Sequence, residues 1–334
     1  MTLDEFLEEW RNEQDKVLVH TSGSTGAPKP LWVEKRRMEA SARITCDFLH
    51  LQPGDTALLC MPLDYIAGKM VVVRSLVRHL RLINVPPSGH PLKGLTETPT
   101  FAAMVPMQVY NSLQVAEERE RLRAIRHLII GGGAIDDDLA CQLKDFPNFV
   151  WSTYGMTETL SHIALRRLNG DEASLWYMPF ASVSVSLNGD GCLVIDAPEV
   201  CAHRLTTHDI AELSPDGRQF RILGRMDNVI DSGGIKIQIE EAERLLRSHL
   251  STPFMITKVS DAKYGEAVTL LYEQTTLSVT ALREICESHL PRFWSPRHYL
   301  EIPSLPLTET GKPARKKAEK IAEERLHVAD VQGG

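Results

Sequence analysis

Hydroxyl residues, glycines and a lysine are concentrated in one stretch near the start of the chain. The apolar run Val17–Val19 predicts a short buried strand, and it is followed directly by His20 and then by Thr21, Ser22, Gly23, Ser24, Thr25, Gly26, Ala27, Pro28 and Lys29. Glycines permit tight turns and close approach to a ligand, and successive backbone N–H groups form a concavity for anions. Hydroxyls add donors, and a lysine adds a mobile positive charge. The stretch therefore predicts a phosphate-binding loop.

A flexible surface loop rich in serine and glycine is the alternative for the same stretch. The Walker pattern does not match, because Gly26 is followed by Ala27, Pro28 and Lys29 rather than directly by a lysine and a hydroxyl residue. We therefore predict an anion-binding loop of another kind.

A run of three glycines follows a later predicted strand. Residues 126–130 lead into Gly131, Gly132 and Gly133, and glycines at a strand end let a flat ligand lie against bare backbone. A plain tight turn is the alternative. The dinucleotide-binding fingerprint is disfavoured, because Asp136 stands where a further glycine would be needed.

A second strand end carries an aromatic ring and a carboxylate. Residues 149–153 lead into Tyr154 and Gly155, and Thr157 and Glu158 follow. A tyrosine ring can stack on a base, and a glutamate is a hard oxygen ligand that suits Mg²⁺. A single glutamate is more often only solvated. Its interpretation as a metal ligand therefore depends on the other motifs of the chain.

Three charged positions in the second half of the chain complete the set of candidates. Asp209 lies at a strand-like position and could accept hydrogen bonds from two ribose hydroxyls, or be an ordinary turn carboxylate. The run that starts at Gly224 and includes Arg225 ends the β-rich part of the chain. Lys312 lies in a turn of threonine, glycine and proline, where an ordinary solvated lysine is the alternative.

The composition excludes several functional classes. The chain has 334 residues, 43% hydrophobic and 24% charged, with a net charge of −7, which disfavours bulk binding to nucleic acid or to an anionic membrane. The six cysteines form no C-x-x-C pair, so neither a disulfide framework nor a zinc site is expected. The acidic N-terminal segment does not resemble a signal peptide, and no apolar run reaches membrane-spanning length. We expect a cytoplasmic protein without membrane insertion.

The periodicity of apolar residues alternates between strand and helix. A first helix is predicted to begin with a capping box formed by Thr2 and Glu5. Further helices are predicted at residues 35–50, 69–80, 239–250, 278–290 and 314–325. Strands are predicted at residues 16–20, 56–60, 81–85, 99–105, 126–130, 149–153, 254–259 and 267–273. This order predicts an α/β fold with mostly parallel sheets, and residues 176–223 add a β-rich part. We expect a large N-terminal domain at 1–226 and a small mobile α/β domain at 227–334.

Taken together, these stretches resemble the adenylate-forming family of acyl- and aryl-CoA synthetases, adenylation domains and luciferases. Five motifs occur in the family's order between residues 21 and 313, and the likeness covers nearly the whole chain. The resemblance implies an ATP-dependent ligase that forms an acyl-adenylate with release of pyrophosphate and then transfers the acyl group to CoA. It implies ATP, Mg²⁺ and CoA as cosubstrates and cofactor, and a carboxylic acid as the small-molecule partner.

The resemblance also implies a role for each candidate residue. The residues implied to bind ATP or AMP are Thr21, Ser22, Gly23, Ser24, Thr25, Gly26, Lys29, Gly131, Gly132, Gly133, Ala134, Tyr154, Gly155, Asp209 and Arg225. The residues implied to be catalytic are Lys312, Thr157 and Glu158, of which Glu158 would hold Mg²⁺. Asp227 would be the hinge about which the small domain rotates between the two steps, and Gly233, Gly234 and Lys236 would serve the step with CoA.

Within the family, residues 61–70 and 154–165 are most similar to the o-succinylbenzoate–CoA ligases of menaquinone biosynthesis. Such an acid carries a second carboxylate that does not react, for which Arg74, Ser161 and His162 are candidates, with Tyr65 as a wall of the acyl pocket. A charge on the helix surface is the alternative for Arg74.

Two departures from the family pattern matter. The family often has an aromatic residue and a histidine where this chain has Asp64 and Tyr65, which alters one wall of the pocket. The family usually has a further subdomain ahead of the phosphate loop, where this sequence has residues 1–20. We therefore expect a short form, with a pocket that is more open or is completed by another chain in a homo-oligomer.

Two other functions stay open from the sequence. One is an adenylation enzyme that activates another aryl or acyl acid and loads CoA or the thiol of a carrier protein. The other is a non-catalytic nucleotide-binding regulator, which the joint presence of Glu158, Asp209, Arg225 and Lys312 disfavours.

Overall fold

The computed structural model describes residues 1–20, 30–133, 135, 137–308 and 313–332. The chain divides into two compact units. The first comprises Met1–Leu187, Val194–Thr206 and Leu213–Arg221, and the second comprises Asn188–Leu193, Thr207–Glu212 and Ile222–Gly334. The domain boundary expected between residues 226 and 227 stays a prediction.

Up to residue 187 the chain alternates between helices and strands. These elements are α1 (Leu3–Arg11), β1 (Lys16–His20), β2 (Pro30–Glu34), α2 (Lys35–Phe48), β3 (Thr56–Leu59), α3 (Ile66–Arg78), β4 (Arg81–Asn84), β5 (Phe101–Met104), α4 (Pro106–Gln114), α5 (Ala116–Ala124), β6 (His127–Ile130), α6 (Asp137–Leu143), β7 (Phe149–Gly155), β8 (His162–Arg167), β9 (Met178–Pro179) and β10 (Ser184–Leu187).

Seven of these strands form one sheet in the order β4-β3-β5-β6-β7-β8-β9. The first five run parallel to their neighbours, whereas β8 and β9 join antiparallel. All four residues of β3, of β5 and of β6 are buried, as expected for strands covered on both faces. The mostly parallel sheet is thus confirmed, and its antiparallel edge is an addition to the predicted strands.

Helix α1 begins with the capping box that its sequence predicts. The Glu5 backbone N–H donates to Thr2 Oγ1 at 3.3 Å, and the Thr2 backbone N–H donates to Glu5 Oε2 at 2.6 Å. The helix buries Phe6. Strand β1 then buries Val17 and Val19 and pairs antiparallel with β2.

From residue 192 onward the chain begins with five strands, and helices and strands follow one another after them. These elements are β11 (Cys192–Asp196), β12 (Leu205–Leu213), β13 (Phe220–Arg225), β14 (Val229–Ser232), β15 (Ile235–Gln238), α7 (Ile239–Arg247), β16 (Phe254–Asp261), β17 (Gly265–Tyr272), α8 (Val279–His289), β18 (His298–Glu301) and α9 (Arg315–Gln332). Strands β10 to β13 form a four-stranded sheet in chain order, which agrees with the β-rich part predicted at 176–223. Strands β14 to β18 form a five-stranded sheet.

The five-stranded sheet has a core on each face, because side chains alternate along a strand. Ile256 and Leu270 belong to one buried cluster, together with residues of α7 and α8. Their neighbours Met255 and Leu271 belong to the other, together with Ala318 of α9. Helix α9 continues to Gln332 and so exceeds the predicted end at 325. These features confirm the α/β fold class. Across the described residues, we find no helix with the length and apolar character needed to cross a membrane.

His127 lies in a stack of rings at the start of β6. Its ring is parallel to that of Phe149, with 5.1 Å between the centroids, and the guanidinium carbon of Arg167 lies 4.4 Å from the Phe149 centroid. His127 Nδ1 is buried and has no hydrogen-bond partner among the described residues. Burial, with a further contribution from the charge of Arg126, lowers the pKa of His127 to about 4.

The substitution His127→Phe is expected to make the protein less sensitive to acid. The unfolded chain takes up this proton near pH 6.5, whereas the folded protein takes it up near pH 4, so stability falls as the pH drops through this window. Over the window we expect the wild type to lose about 2 kcal/mol more unfolding free energy than the variant. Urea unfolding at each pH measures the difference. His203→Gln, at an exposed histidine, should follow the wild type. If His127→Phe and the wild type lose the same unfolding free energy over this pH window, the lowered pKa of His127 is contradicted.

Candidate active site

Arg74 is a buried cation on the inner face of α3. Its relative exposure is 2%, so the alternative of a charge on the helix surface is excluded. One terminal nitrogen donates to Ser161 Oγ at 2.6 Å and reaches Thr45 Oγ1 at 3.5 Å. The Nε atom is buried without a hydrogen-bond partner, and no described carboxylate forms an ion pair with the guanidinium. Burial lowers the pKa of Arg74 to about 10, which still leaves it positively charged at neutral pH.

His162 and Thr45 continue the contacts that begin at Arg74. His162 Nδ1 lies 3.2 Å from Ser161 Oγ, and His162 Nε2 lies 3.1 Å from Thr45 Oγ1. Burial, together with the charge of Arg74, holds the pKa of His162 well below its ordinary value. The ring is therefore neutral at physiological pH. The structure thus brings together three predicted acyl-pocket residues, and Thr45 joins them.

Thr45 was not among the residues singled out in the sequence. It is fully buried on α2, on the face that also buries Met38, Ala42 and Cys46. A hydroxyl at a position that shares a helix face with apolar residues is the signal that could have identified it. Its contact with His162 spans 117 residues of sequence, which local patterns do not reveal.

The turn between β7 and β8 positions Glu158 and Ser161. A Cβ atom at Gly155 would lie 2.3 Å from the Ser161 carbonyl oxygen, so the chain closes here against bare backbone. Thr159 Oγ1 accepts from the Met156 backbone N–H at 2.9 Å and donates within the turn. Leu160 has φ of 64° and is buried, an uncommon conformation that marks local strain in a residue with a side chain.

Glu158 is exposed, in a 3₁₀ turn that spans Thr157–Thr159. No group of three His, Cys, Asp or Glu side chains among the described residues could enclose a metal ion. One exposed carboxylate nevertheless fits Mg²⁺, which is commonly held by one or two carboxylates together with substrate phosphates and water. Glu158 therefore suits a cation that arrives with ATP.

Gly131 and Tyr154 lie on the neighbouring strand ends of β6 and β7. A Cβ atom at Gly131 would lie 2.2 Å from Thr153 Oγ1. The Tyr154 ring meets Phe220 edge-on, with 5.1 Å between centroids, and lies 5.8 Å from the Tyr177 ring. Both neighbouring rings are additions to the residues predicted from sequence. Gly132 and Gly133 are exposed, which leaves backbone open to a flat ligand.

The predicted ribose and hinge residues form one polar group in the second unit. Arg225 donates to Asp209 Oδ1 and to Asp227 Oδ2, each at 3.0 Å. His208 Nδ1 lies 2.8 Å from Asp227 Oδ1. Burial alone would raise the pKa of Asp227, but the hydrogen bonds with His208 and Arg225 hold it below its usual range. The group links the predicted ribose carboxylate to the predicted hinge through one guanidinium.

The remaining candidates lie at three other places. Gly233 and Gly234 form the turn between β14 and β15 with φ of 62° and 84°, and Lys236 forms an exposed ion pair with Asp231. Tyr65 is half-buried at the start of α3 and forms a parallel bridge with His20. The predicted phosphate loop Thr21–Lys29, Ala134 and Lys312 lie outside the described residues.

Comparison with known proteins gives consistent matches. The profile of the AMP-binding enzyme family matches residues 6–197. The 2-succinylbenzoate–CoA ligase of Salmonella typhimurium is 27% identical over 88% of this chain and 66% of its own length. That of Bacillus mycoides is 25% identical over 95% of this chain and 72% of its own length. The chain thus spans about two thirds of the length of these relatives.

Solved structures extend the comparison. An acyl-CoA synthetase (AMP-forming)/AMP-acid ligase II-like protein from Dyadobacter fermentans is 32% identical, with a TM-score of 0.64 over 94% of this chain and 91% of that chain. The o-succinylbenzoate–CoA synthetase of Bacillus subtilis, in complex with ATP and magnesium ion, is 22% identical, with a TM-score of 0.75 over 91% of this chain and 70% of that chain. The second likeness concerns the fold alone.

Two glycine substitutions should differ in a way that tests this geometry. In Gly155→Ala the new methyl group meets backbone, so we expect a loss of about 3 kcal/mol in unfolding free energy. In Gly131→Ala it meets a hydroxyl, so we expect a loss of about 1–2 kcal/mol that Thr153→Ala largely restores. Urea unfolding of the two single variants, Thr153→Ala and the double variant measures both effects. An equal loss of unfolding free energy at the two glycines, or no recovery of it by Thr153→Ala, would contradict the contacts assigned to Gly131 and Gly155.

Proposed function

We propose that this chain, which belongs to the AMP-binding enzyme family, joins a carboxylic acid to CoA in an ATP-dependent reaction. In the first step a carboxylate oxygen attacks the α-phosphorus of ATP, and the bond to pyrophosphate breaks. In the second step the sulfur of CoA attacks the acyl carbon, AMP leaves, and the thiol proton passes to solvent. The products are an acyl-CoA thioester, AMP and pyrophosphate.

The observation that supports the choice of acid is the buried charge of Arg74. Its Nε–H has no partner in the part of the chain that the structure describes, and Ser161 and His162 lie beside it. This arrangement suits a carboxylate that is held but does not react. o-Succinylbenzoate has two carboxylates, one to react and one to be held. We propose it as the acid, in agreement with the names of the relatives, and menaquinone biosynthesis as the pathway.

The nucleotide roles follow the contacts of the described residues. Asp209 would accept hydrogen bonds from the ribose hydroxyls, and Arg225, which donates to Asp209, would orient that carboxylate. Tyr154, supported by Phe220 and Tyr177, would stack on the adenine against Gly131–Gly133. Glu158 would hold Mg²⁺, which neutralises phosphate charge when it is bound. Positioning and charge neutralisation are what phosphoryl-group chemistry requires most.

Three predicted regions complete the proposal. Thr21–Lys29 would bind the β- and γ-phosphates, and Lys312 would contact the reacting carboxylate and the α-phosphate. The turn with Gly233 and Gly234, followed by Lys236, would serve the second step. Asp227 would be the hinge about which the small domain rotates between the first and the second step.

Arg74→Met should separate acid binding from stability. We expect kcat/KM for o-succinylbenzoate to fall about a hundredfold or more, because a charged hydrogen bond to the acid is lost. The unfolding free energy of the ligand-free protein should stay equal or rise, because an unpaired buried charge is removed. Pyrophosphate release and urea unfolding measure the two quantities. Full activity in a variant that is several kcal/mol less stable would assign Arg74 to structure alone.

Lys312→Ala should separate the two steps of the reaction. We expect acid-dependent pyrophosphate release to be abolished, because the charge that develops on the carboxylate and α-phosphate loses its partner. Thioester formation from a supplied acyl-adenylate and free CoA should be retained. Thioester formation monitored at single turnover is the second measurement, and Lys316→Ala, at an exposed lysine of α9, is the matched control. If both steps fall equally, the proposed division of roles is wrong.

A further inference from the structure

The hydrogen-bond partners around His162 fix the direction of every donor in the group. The order can be deduced from one end, at Thr45. Thr45 Oγ1 lies 3.1 Å from the Ser41 carbonyl oxygen one turn earlier in α2. A carbonyl oxygen can only accept, so the single hydroxyl proton of Thr45 is directed to Ser41.

The Thr45 hydroxyl oxygen must then accept from His162. At 3.1 Å, His162 Nε2 therefore carries the ring proton. Because His162 is buried and neutral, its Nδ1 has a lone pair and accepts. The neighbour at 3.2 Å is Ser161 Oγ, whose hydroxyl proton is directed to Nδ1. Ser161 Oγ in turn accepts from the Arg74 guanidinium at 2.6 Å.

The result is a one-way series of donors, from Arg74 to Ser161, His162, Thr45 and the Ser41 carbonyl. Each hydroxyl in it donates its one proton within the series, so Ser161 has no proton left for a ligand. The series uses only Nη2 of Arg74. Of the remaining N–H donors of the guanidinium, Nε–H is buried and has no acceptor among the described residues. An incoming carboxylate therefore meets a guanidinium whose Nη2 is already held.

We propose that Thr45 and His162 are positioning residues, which fix the Ser161 hydroxyl that holds Nη2 of Arg74 and thereby orient the guanidinium toward the non-reacting carboxylate of the acid. This inference rests on the proposed function for the identity of the ligand, but its donor order rests on the geometry alone. Thr45 lies on α2 and Arg74 on α3, so the series also connects the two helices that flank the group. Preorganisation of this kind reduces the cost of ordering the site when the acid binds.

The donor order is tested by the ring tautomer of His162. We would label the histidines of the full chain with ¹⁵N, assign the His162 signals by their loss in His162→Gln, and record long-range ¹H–¹⁵N spectra at pH 7. The expected result is a neutral ring with the proton on Nε2 and an acceptor at Nδ1. A proton on Nδ1, or a charged ring, would overturn the order.

The positioning role is tested by removal of the Thr45 hydroxyl. In Thr45→Val the KM for o-succinylbenzoate should rise about tenfold, as expected for a weakened hydrogen bond to a charged group. The KM for ATP should not change. Thr45→Ser keeps the hydroxyl and should restore the wild-type KM for the acid. Ser75→Ala removes another buried hydroxyl, which donates to the Val71 carbonyl, and should leave the KM for the acid unchanged.

The outcomes distinguish this inference from the proposed function. A wild-type KM for the acid in Thr45→Val, in an active enzyme, would overturn the positioning role alone. A rise of equal size in Thr45→Ser would also overturn it, because the hydroxyl would not be the cause. If the wild type activates no dicarboxylic acid while His162 shows the expected tautomer, the donor order is supported, and both the proposed acid and the positioning role are overturned.

Discussion

A buried positive charge, with no carboxylate beside it among the described residues, is the constraint on which the candidate site depends. Burial lowers the pKa of Arg74 from 12.5 to about 10, which corresponds to about 3 kcal/mol of disfavoured charge. Ser161 and Thr45 offset part of this cost as acceptors. Leu160, whose φ is 64°, directly precedes Ser161. A fold that retains such a charge gains most when an anion binds, so the site is organised for an acidic ligand.

Much of the fold could be predicted from local patterns. Unbroken apolar runs predicted β3, β5 and β6, and the spacing of Thr2 and Glu5 predicted the start of α1. The glycines at 131 and 155 were predicted from their place at strand ends, and close approach of Thr153 and Ser161 explains them. These features share one property: the residues that determine them are neighbours in sequence or belong to one strand.

The parts that could not be predicted depend on contacts between distant residues. Thr45 meets His162 across 117 positions, and Arg74 meets Ser161 across 87, so no window of sequence contains both partners. The support of Tyr154 by Phe220 is of the same kind. The antiparallel strand β8 was also missed, although it pairs with β7, its neighbour in sequence, as well as with β9. The roles of Thr21–Lys29 and Lys312 stay predictions from the family resemblance.

The most direct test of this account compares acids that differ only in the carboxylate that does not react. Hydroxylamine trapping of the adenylate would be measured with o-succinylbenzoate, with its methyl ester at the non-reacting carboxylate, and with simple aryl and alkyl monocarboxylates. A buried, preorganised Arg74 predicts that o-succinylbenzoate is activated about a hundredfold more efficiently than its ester. Equal activation of the acid and its ester, or strong activation of a monocarboxylate alone, would contradict it.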